Sequence, residues 1–168
     1  RGASRLLHPR RRIEALVREG VGYGLISDAQ SAIVQRVFDL SNRTVADEML
    51  PWREVITVPH HATGDQLWEL ARREGRSRFP VIGESGEVVG VLKIDDALLH
   101  DRDACPPLEQ LCDPVYFFTT DEPWRSALAR MQRDNLGLAV VRDPNHRPVG
   151  VVTVKDLIEP ITGELVRW

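Results

Sequence analysis

The sequence predicts an α/β protein made of two copies of one small unit. Three blocks of residues recur in the same order, with insertions and deletions only between the blocks. The blocks and their second copies are residues 90–96 (GVLKIDD) and 150–156 (GVVTVKD), 79–82 (FPVI) and 138–141 (LAVV), and 45–51 (VADEMLP) and 108–114 (LEQLCDP). Short runs rich in valine and isoleucine alternate with helical patterns in both copies. The repeat therefore indicates two packed supersecondary units related by a pseudo-two-fold axis.

The first copy is predicted to read helical turn, strand, helix, strand, strand, helix. Its strands are expected at residues 55–58, 79–82 and 88–92, with a hairpin turn at 84–87. Thr63, with Gln66 three residues later, has the pattern of a capping box at the start of the first full helix.

The second copy repeats this order. Its strands are expected at residues 115–118, 138–141 and 149–153. The apolar positions Trp124, Ala127, Leu128 and Met131 have helical spacing, and Pro123 suits the first turn of that helix.

Two helical segments precede the repeats, at residues 12–19 and after Ser27, which again has a glutamine three residues on. The second segment carries an apolar stripe that it cannot bury alone, so we expect it to pack on the repeats or on other sequence. The predicted organisation is a basic leader with N-terminal helices (1–43), a first domain (44–100), a linker (101–106) and a second domain (107–165).

Composition excludes several protein classes. The 168 residues are 42% hydrophobic and 28% charged, as in ordinary globular proteins. No apolar run approaches the ~18–20 residues that cross a bilayer, and no signal peptide is evident. Two cysteines form no disulfide framework, so a reducing compartment is expected.

Charge is distributed unevenly along the chain. Residues 1–12 contain five arginines and no acid, whereas the remaining 156 residues carry 17 basic and 25 acidic side chains. A basic leader on an acidic body fits a solvated end, nucleic acid, anionic lipid or the cytoplasmic flank of a transmembrane helix.

The block at residues 150–156 is the strongest candidate binding motif. A strand ends at the hydroxyl residue Thr153, and Asp156 follows on the opening turn of a helix. The free N–H groups of a helix N-terminus attract phosphate, and a carboxylate can accept two ribose hydroxyl hydrogen bonds. The alternative is that Thr153 and Asp156 simply cap the helix.

These motifs resemble tandem CBS domains, whose signature is a hydrophobic–Pro–hydrophobic strand, a turn and Gly–hydrophobic–hydrophobic–Ser/Thr–x–x–Asp. More narrowly, residues 13–165 resemble the cytosolic part of CorC/HlyC-type, cyclin-M-like magnesium and cobalt transport proteins. The specific matches are residues 37–51 (VFDLSNRTVADEMLP), 77–81 (SRFPV) and 153–164 (TVKDLIEPITGE).

The resemblance implies an ATP- or AMP-binding sensor with its ligand in the cleft between the repeats. Thr153 and Asp156 match the hydroxyl and the ribose-binding acid, Arg78 matches the residue facing the phosphates, and Pro80 lies near the base. Met49, Leu50 and Pro51 match the turn that closes the pocket, where the family usually has threonine in place of Leu50.

The first repeat departs further from the signature. Lys93 stands where serine or threonine is expected, although Asp96 is present. A weak second site at Lys93 and Asp96 is one interpretation, and a salt bridge from Lys93 to Asp95 or Asp96 is the other. We expect one nucleotide per chain.

The implied function is allosteric control of an attached membrane-spanning transport domain at the cytosolic face of the membrane, without enzymatic activity or nucleic-acid binding. With few basic groups near Asp156, ATP is expected to bind as Mg-ATP.

The module is expected to be a homodimer whose interface uses Trp68, Trp124 and the helix around Ile33. The alternatives are a purely structural dimerisation module and, through the arginine leader, a nucleic-acid-binding module.

The other reactive residues have no pattern typical of a metal site or a catalytic site. His100, Asp101, Asp103, Cys105 and Cys112 fit no zinc spacing, and His60-His61 is expected to be solvated. No catalytic nucleophile with a base and no metal site is predicted.

Overall fold

The structure is a computed structural model that describes residues 9–162. It therefore leaves the first eight residues of the arginine leader, and the resemblance at Gly163 and Glu164, outside the described residues. The α-helices are α1 (Pro9–Gly22), α2 (Asp28–Leu40), α3 (Val45–Glu48), α4 (Gly64–Arg73), α5 (Ile94–Leu98), α6 (Trp124–Arg133) and α7 (Val154–Thr162). The strands are β1 (Leu50–Pro51), β2 (Val58–Pro59), β3 (Arg78–Ile82), β4 (Val88–Lys93), β5 (Cys112–Asp113), β6 (Phe117–Thr119), β7 (Ala139–Arg142) and β8 (Pro148–Val152). Within residues 9–162, no helix has the length and apolar character needed to cross a membrane.

The predicted α/β class with two related halves is confirmed. The strands form two four-stranded sheets, one in the order β2-β3-β4-β5 and the other in the order β6-β7-β8-β1. In each sheet the first two strands are parallel and the remaining pairs are antiparallel.

Each sheet is completed by a strand from the other half of the chain. The short strand β1, at the start of the first repeat, pairs with β8, so that Leu50 lies opposite Val151. The short strand β5, at the start of the second repeat, pairs with β4, so that Asp113 lies opposite Val91. The two exchanged strands, β1 and β5, occupy equivalent positions of the two repeats. This exchange was not predicted from the sequence.

The side chains of the strands alternate between two environments, as a pleated strand requires. In the first sheet Phe79, Val81 and Leu92 pack under helices, whereas Val91 faces the other sheet. In the second sheet Val140 and Val151 face the first sheet in the same way, and their neighbours pack under helices. Each half therefore has its own core, and a third core joins the two sheets.

The predicted helix caps are confirmed. Ser27 and Thr63 each form a capping box with the glutamine three residues later. The first strand of each repeat is shorter and later than predicted: residues 52–54 form a 3₁₀ turn and β2 begins at Val58, while β6 begins at Phe117. Val55 and Val115, which lie outside the strands, pack in the core between the two sheets, so their apolar character did not mark a strand.

The N-terminal helices attach to the second repeat. Helix α2 packs on α7, where Arg36 Nη1 donates to the carbonyl of Ile161 at 3.3 Å, and α1 packs on α2. Arg10 pairs with Glu14 at 2.8 Å and with Asp39 at 3.0 Å, so this leader arginine is already neutralised within the fold.

The prediction that Trp124 contributes to a dimer surface is wrong. Trp124 is 4% exposed, belongs to the core of the second half, and donates its indole N–H to the carbonyl of Leu157 at 2.7 Å. A buried and hydrogen-bonded indole cannot contribute to an exposed interface. Trp68 is half-buried beneath the Arg102 guanidinium, whereas Ile33 is 37% exposed.

Candidate functional site

A cleft of about 600 Å³ lies between the two halves of the molecule. Residues of both repeats line it, from the loop before β3, from β1, β3 and β8, and from the start of α7. The lining residues are Leu50, Val55, Ile56, Gly75, Arg76, Ser77, Arg78, Pro80, Leu136, Gly137, Leu138, Val151, Thr153, Val154, Lys155, Asp156 and Glu159. The cleft therefore brings together residues predicted from three separate segments of the sequence, namely Leu50, Arg78, Pro80, Thr153 and Asp156.

Thr153 and Asp156 form a reciprocal cap at the start of α7. The Thr153 hydroxyl and backbone N–H both donate to Asp156 Oδ2, at 2.7 and 2.8 Å. The Asp156 N–H in turn donates to Thr153 Oγ1 at 3.3 Å. The capping interpretation is thus correct. It leaves the other carboxylate oxygen of Asp156 without a hydrogen-bond partner among residues 9–162, so the two interpretations are compatible.

The start of α7 also presents unused backbone donors. The N–H groups of Val154 and Lys155 have no hydrogen-bond partner in the described part of the chain, as is usual for the first turn of a helix. Together with the helix dipole, these N–H groups favour a negative group in the cleft.

The cleft contains more basic side chains than the sequence predicted, since only Arg78 was expected there. Arg78 is half-buried, and no described residue forms a hydrogen bond or an ion pair with its guanidinium. Arg76 and Lys155 line the same cleft, against the acidic residues Asp156 and Glu159. Lys155 lies inside the repeated block and Arg76 two residues before Arg78, so proximity to the motifs was the signal that could have identified them.

Leu50 and Pro51 have different positions. Leu50 lines the cleft, but Pro51 pairs with Gly150 and is not among the lining residues. Met49 packs over Gly150, where a Cβ atom would lie 2.6 Å from Met49 Sδ. The turn that was expected to close the pocket is therefore fixed to β8, and Leu50 is its member that reaches the cleft.

A second cleft between the repeats is smaller and differently charged. It has a volume of about 250 Å³ and is lined by Arg78, Val91, Asp113, Pro114, Tyr116, Asp134, Asn135, Leu136, Gly137 and Leu138. Lys93 and Asp96 do not line it. Lys93 Nζ lies 3.2 Å from Asp96 Oδ1, which is the predicted salt bridge.

The remaining candidates stay isolated. His60 lies 3.8 Å from Glu84, a surface contact, and both cysteines are free. Burial raises the pKa of the Cys112 thiol to about 11. In the described part of the chain, no three of the histidine, cysteine and acidic residues are grouped so as to hold a metal ion.

Comparison with known proteins gives a consistent result. A model of the CBS domain family matches the chain twice, over residues 45–103 and 109–163. The UPF0053 protein YhdP of Bacillus subtilis is 25% identical over 165 residues, which make up 95% of this chain and 37% of that protein. The chain spans between about a third and a half of the length of the curated relatives it matches (34–46%).

Solved structures agree with this result. The CBS domain of a bacterial CNNM/CorC family Mg²⁺ transporter superposes with a TM-score of 0.84 and 26% identity, covering 92% of this chain and 96% of that one. A structure of such a domain in complex with ATP superposes with a TM-score of 0.73 and 29% identity, covering 79% of this chain and 96% of that one.

Proposed function

This chain belongs to the CBS domain family, and on that premise we propose that it is a regulatory module that binds an adenine nucleotide in its larger cleft. One observation carries the proposal. The unpartnered guanidinium of Arg78, the free N–H groups of α7 and the Asp156 carboxylate converge on one cleft between the repeats. Their combination of basic, N–H and acidic groups suits a ligand with both phosphates and a ribose.

The cleft offers a separate surface to each part of a nucleotide. The adenine packs against Pro80 and the apolar side chains near it, among them Leu138 and Val151. The ribose hydroxyls donate to the oxygen of Asp156 that the helix cap leaves free, and Thr153 stays close to the ribose. The phosphates lie against Arg78 and the N-terminus of α7. A similar CBS domain has been solved in complex with ATP, which supports an adenine nucleotide as the ligand.

We further propose that the module regulates an attached ion-transport domain from the cytosolic side of the membrane. Two findings support this. Similar structures include CBS domains of CNNM/CorC family Mg²⁺ transporters, and this chain spans only 34–46% of the length of its curated relatives. A ligand between the repeats changes their relative pose if it binds one pose more tightly than another. That difference in affinity is the coupling energy available to the attached domain. No enzymatic step is part of the proposal.

The direct test is calorimetric titration of ATP and of AMP into the wild type and into Asp156→Ala. Loss of charge-assisted hydrogen bonds worth about 1.5–3 kcal/mol each predicts at least roughly a tenfold loss of affinity. Asp96→Ala, at the equivalent position of the first repeat, is the matched control and should bind almost as well as the wild type.

Because Asp156 also caps α7, a second variant is needed. Asp156→Asn keeps an acceptor for Thr153 but lacks the negative charge, so it should fold normally and still bind weakly. Equal affinity in the wild type, Asp156→Ala and Asp156→Asn would reject the site. Absence of binding by the wild type would leave the purely structural dimerisation module.

The proposed ligand is Mg-ATP, with a magnesium dependence that we expect to be moderate. Three basic side chains line the cleft against two acidic ones, so the charge of free ATP is partly met by the protein. Magnesium, which binds phosphate and water oxygens without a dedicated protein cage, would reduce the remaining repulsion. ATP should therefore bind severalfold more tightly in excess magnesium than in EDTA at fixed ionic strength, and AMP should respond less. Equal ATP affinities would remove magnesium from the proposal and leave the nucleotide site.

The module is also proposed to be a homodimer. The helices before the repeats expose apolar side chains, including Leu16 (59%), Ile33 (37%) and Val37 (40%). Light scattering should give a mass near twice the 19.0 kDa of the chain. A mass of one chain at high concentration, with and without nucleotide, would contradict a dimer.

A further inference from the structure

We infer that Gly137 is a positioning residue for Arg78, and that this pair directs the phosphates of the nucleotide to the larger cleft. The inference rests on the proposed function and identifies what determines the choice between the two clefts. Gly137 belongs to the second repeat and Arg78 to the first, and each immediately precedes the repeated strand block of its repeat, 59 residues apart.

The side chain of Arg78 fills the space that any side chain at position 137 would need. A Cβ atom on Gly137 would overlap Nε and Cζ of Arg78 and would lie 2.5 Å from its Cδ. These three atoms are the nearest neighbours of that position. The backbone of Gly137 is not in the left-handed region, so the glycine is needed for space rather than for its conformation.

The guanidinium held in this space has no partner inside the described chain. A half-buried guanidinium that the described residues leave unpaired is available to form charge-assisted hydrogen bonds with an anionic ligand. Arg78 lines both clefts, but the other charges differ. Besides Arg78, the larger cleft has two basic and two acidic residues, whereas the charged residues that share the smaller cleft with Arg78 are Asp113 and Asp134, both acidic. A phosphate attracted to Arg78 therefore meets balanced charges on one side and only negative charges on the other.

The pseudo-symmetry explains why one repeat carries arginine and the other glycine. Because the two positions meet, arginine at both would place two guanidinium groups in the space that one occupies. The pair can thus serve one phosphate site, which agrees with the expectation of one nucleotide per chain.

The test is a double-mutant cycle on nucleotide affinity. Gly137→Ala should displace the guanidinium and weaken ATP binding roughly tenfold, about as much as Arg78→Ala. Adenosine, which lacks phosphates, should bind the wild type and Gly137→Ala alike. The double variant should bind ATP no worse than either single variant, because both act through one group.

Gly75→Ala is the control variant. It adds a methyl group to the same cleft where nothing lies within 4 Å of it, and its effect on ATP affinity should be far smaller than that of Gly137→Ala.

The outcomes separate the two proposals. If the wild type does not bind ATP, the proposed function fails and the inference fails with it. If the wild type binds ATP and Gly137→Ala binds it equally well, or loses ATP and adenosine in the same proportion, the inference alone is overturned. If Gly137→Ala does not fold, removal of the overlapping side chain in Gly137→Ala/Arg78→Ala must restore folding. A double variant that still does not fold would show that Arg78 is not what fills the space.

Discussion

The two repeats share a backbone frame and differ in the side chains placed on it. Gly90 and Gly150 occupy equivalent positions, and each is covered by the strand that crosses over from the other half. A Cβ atom on Gly90 would lie 2.6 Å from the Cβ of Cys112, and a Cβ on Gly150 would lie 2.6 Å from Met49 Sδ. The close approach of these strands is thus a property of the repeat and indicates nothing about ligand binding.

The difference begins where β4 and β8 lead into their helices. Thr153 caps α7 and orients Asp156, whereas Lys93 has no side-chain cap bond and instead pairs with Asp96. An ammonium group has no lone pair to offer a helix N–H, so the same loop cannot form the same cap. Repetition therefore supplies the backbone frame, and a few substitutions give the two copies different chemistry.

The largest expected effect comes from disturbing the crossing strands. Gly150→Ala brings a Cβ within 2.7 Å of the carbonyl oxygen of Leu50, so β1 must move, and Gly90→Ala forces a similar shift of β5. Overpacking of this kind should lower the free energy of unfolding by about 1–3 kcal/mol in each variant, as measured in urea. ATP affinity should fall severalfold only in Gly150→Ala, because Leu50 lines the larger cleft. Equal losses of affinity would contradict the functional difference between the clefts.

A smaller effect is expected from exchanging the residues that start the helices. Lys93→Thr should give α5 a cap like that of α7 and raise the free energy of unfolding by about 1 kcal/mol, since the exposed Lys93–Asp96 pair that is lost contributes little. Thr153→Lys should lower it by a similar amount. The stoichiometry of ATP binding in Lys93→Thr should remain one per chain, since the smaller cleft keeps its acidic lining. Two sites in that variant would show that the cap alone creates a nucleotide site.

Leu50 and Asp113 give a finer comparison, because they are equivalent residues of the two crossing strands. Leu50→Thr introduces the hydroxyl that CorC/HlyC-type proteins usually have at this position. One added hydrogen bond of about 0.5–1.5 kcal/mol predicts a severalfold gain in ATP affinity. Asp113→Thr lies at the smaller cleft and should leave ATP affinity within the error of calorimetry. A gain in both variants would argue against a single productive cleft.

The smallest effect concerns thiol reactivity at β5. Since burial raises the pKa of Cys112 to about 11, its thiolate is scarce at pH 8 and alkylation should be slow. In a Cys105→Ser background, the rate with iodoacetamide should keep rising as the pH approaches 11. A plateau near pH 9 would indicate that β5 does not shield the thiol.

Much of this fold could be predicted because its signals are local. Capping boxes at Ser27 and Thr63 need four consecutive residues, and the repeated blocks can be found by aligning the chain with itself. The crossing strands could not be found in this way. Each is two residues long, too short for an alternating pattern, and the partner of Leu50 lies about a hundred residues further along the chain.

The motif residues of the candidate site could be predicted from the sequence, whereas the residues around them could not. Thr153, Asp156 and Arg78 follow from repeated patterns and a family resemblance, but the lining positions of Arg76 and Lys155 depend on how the two halves meet. Trp124 shows the same limit, because its helical spacing was correct while its exposure depends on contacts with α7. The unequal volumes of the clefts likewise depend on packing across the chain.

The exchange of β1 and β5 has a consequence for how the chain is made. While the protein is being synthesised, the first sheet cannot close until Cys112 and Asp113 have left the ribosome, although its other strands end at Lys93. Until then β4 is an open edge with unpaired N–H and C=O groups, which can pair with another chain. A single repeat expressed alone would keep that open edge permanently. The pair, rather than the repeat, is therefore expected to be the smallest fragment of this chain that folds without aggregating.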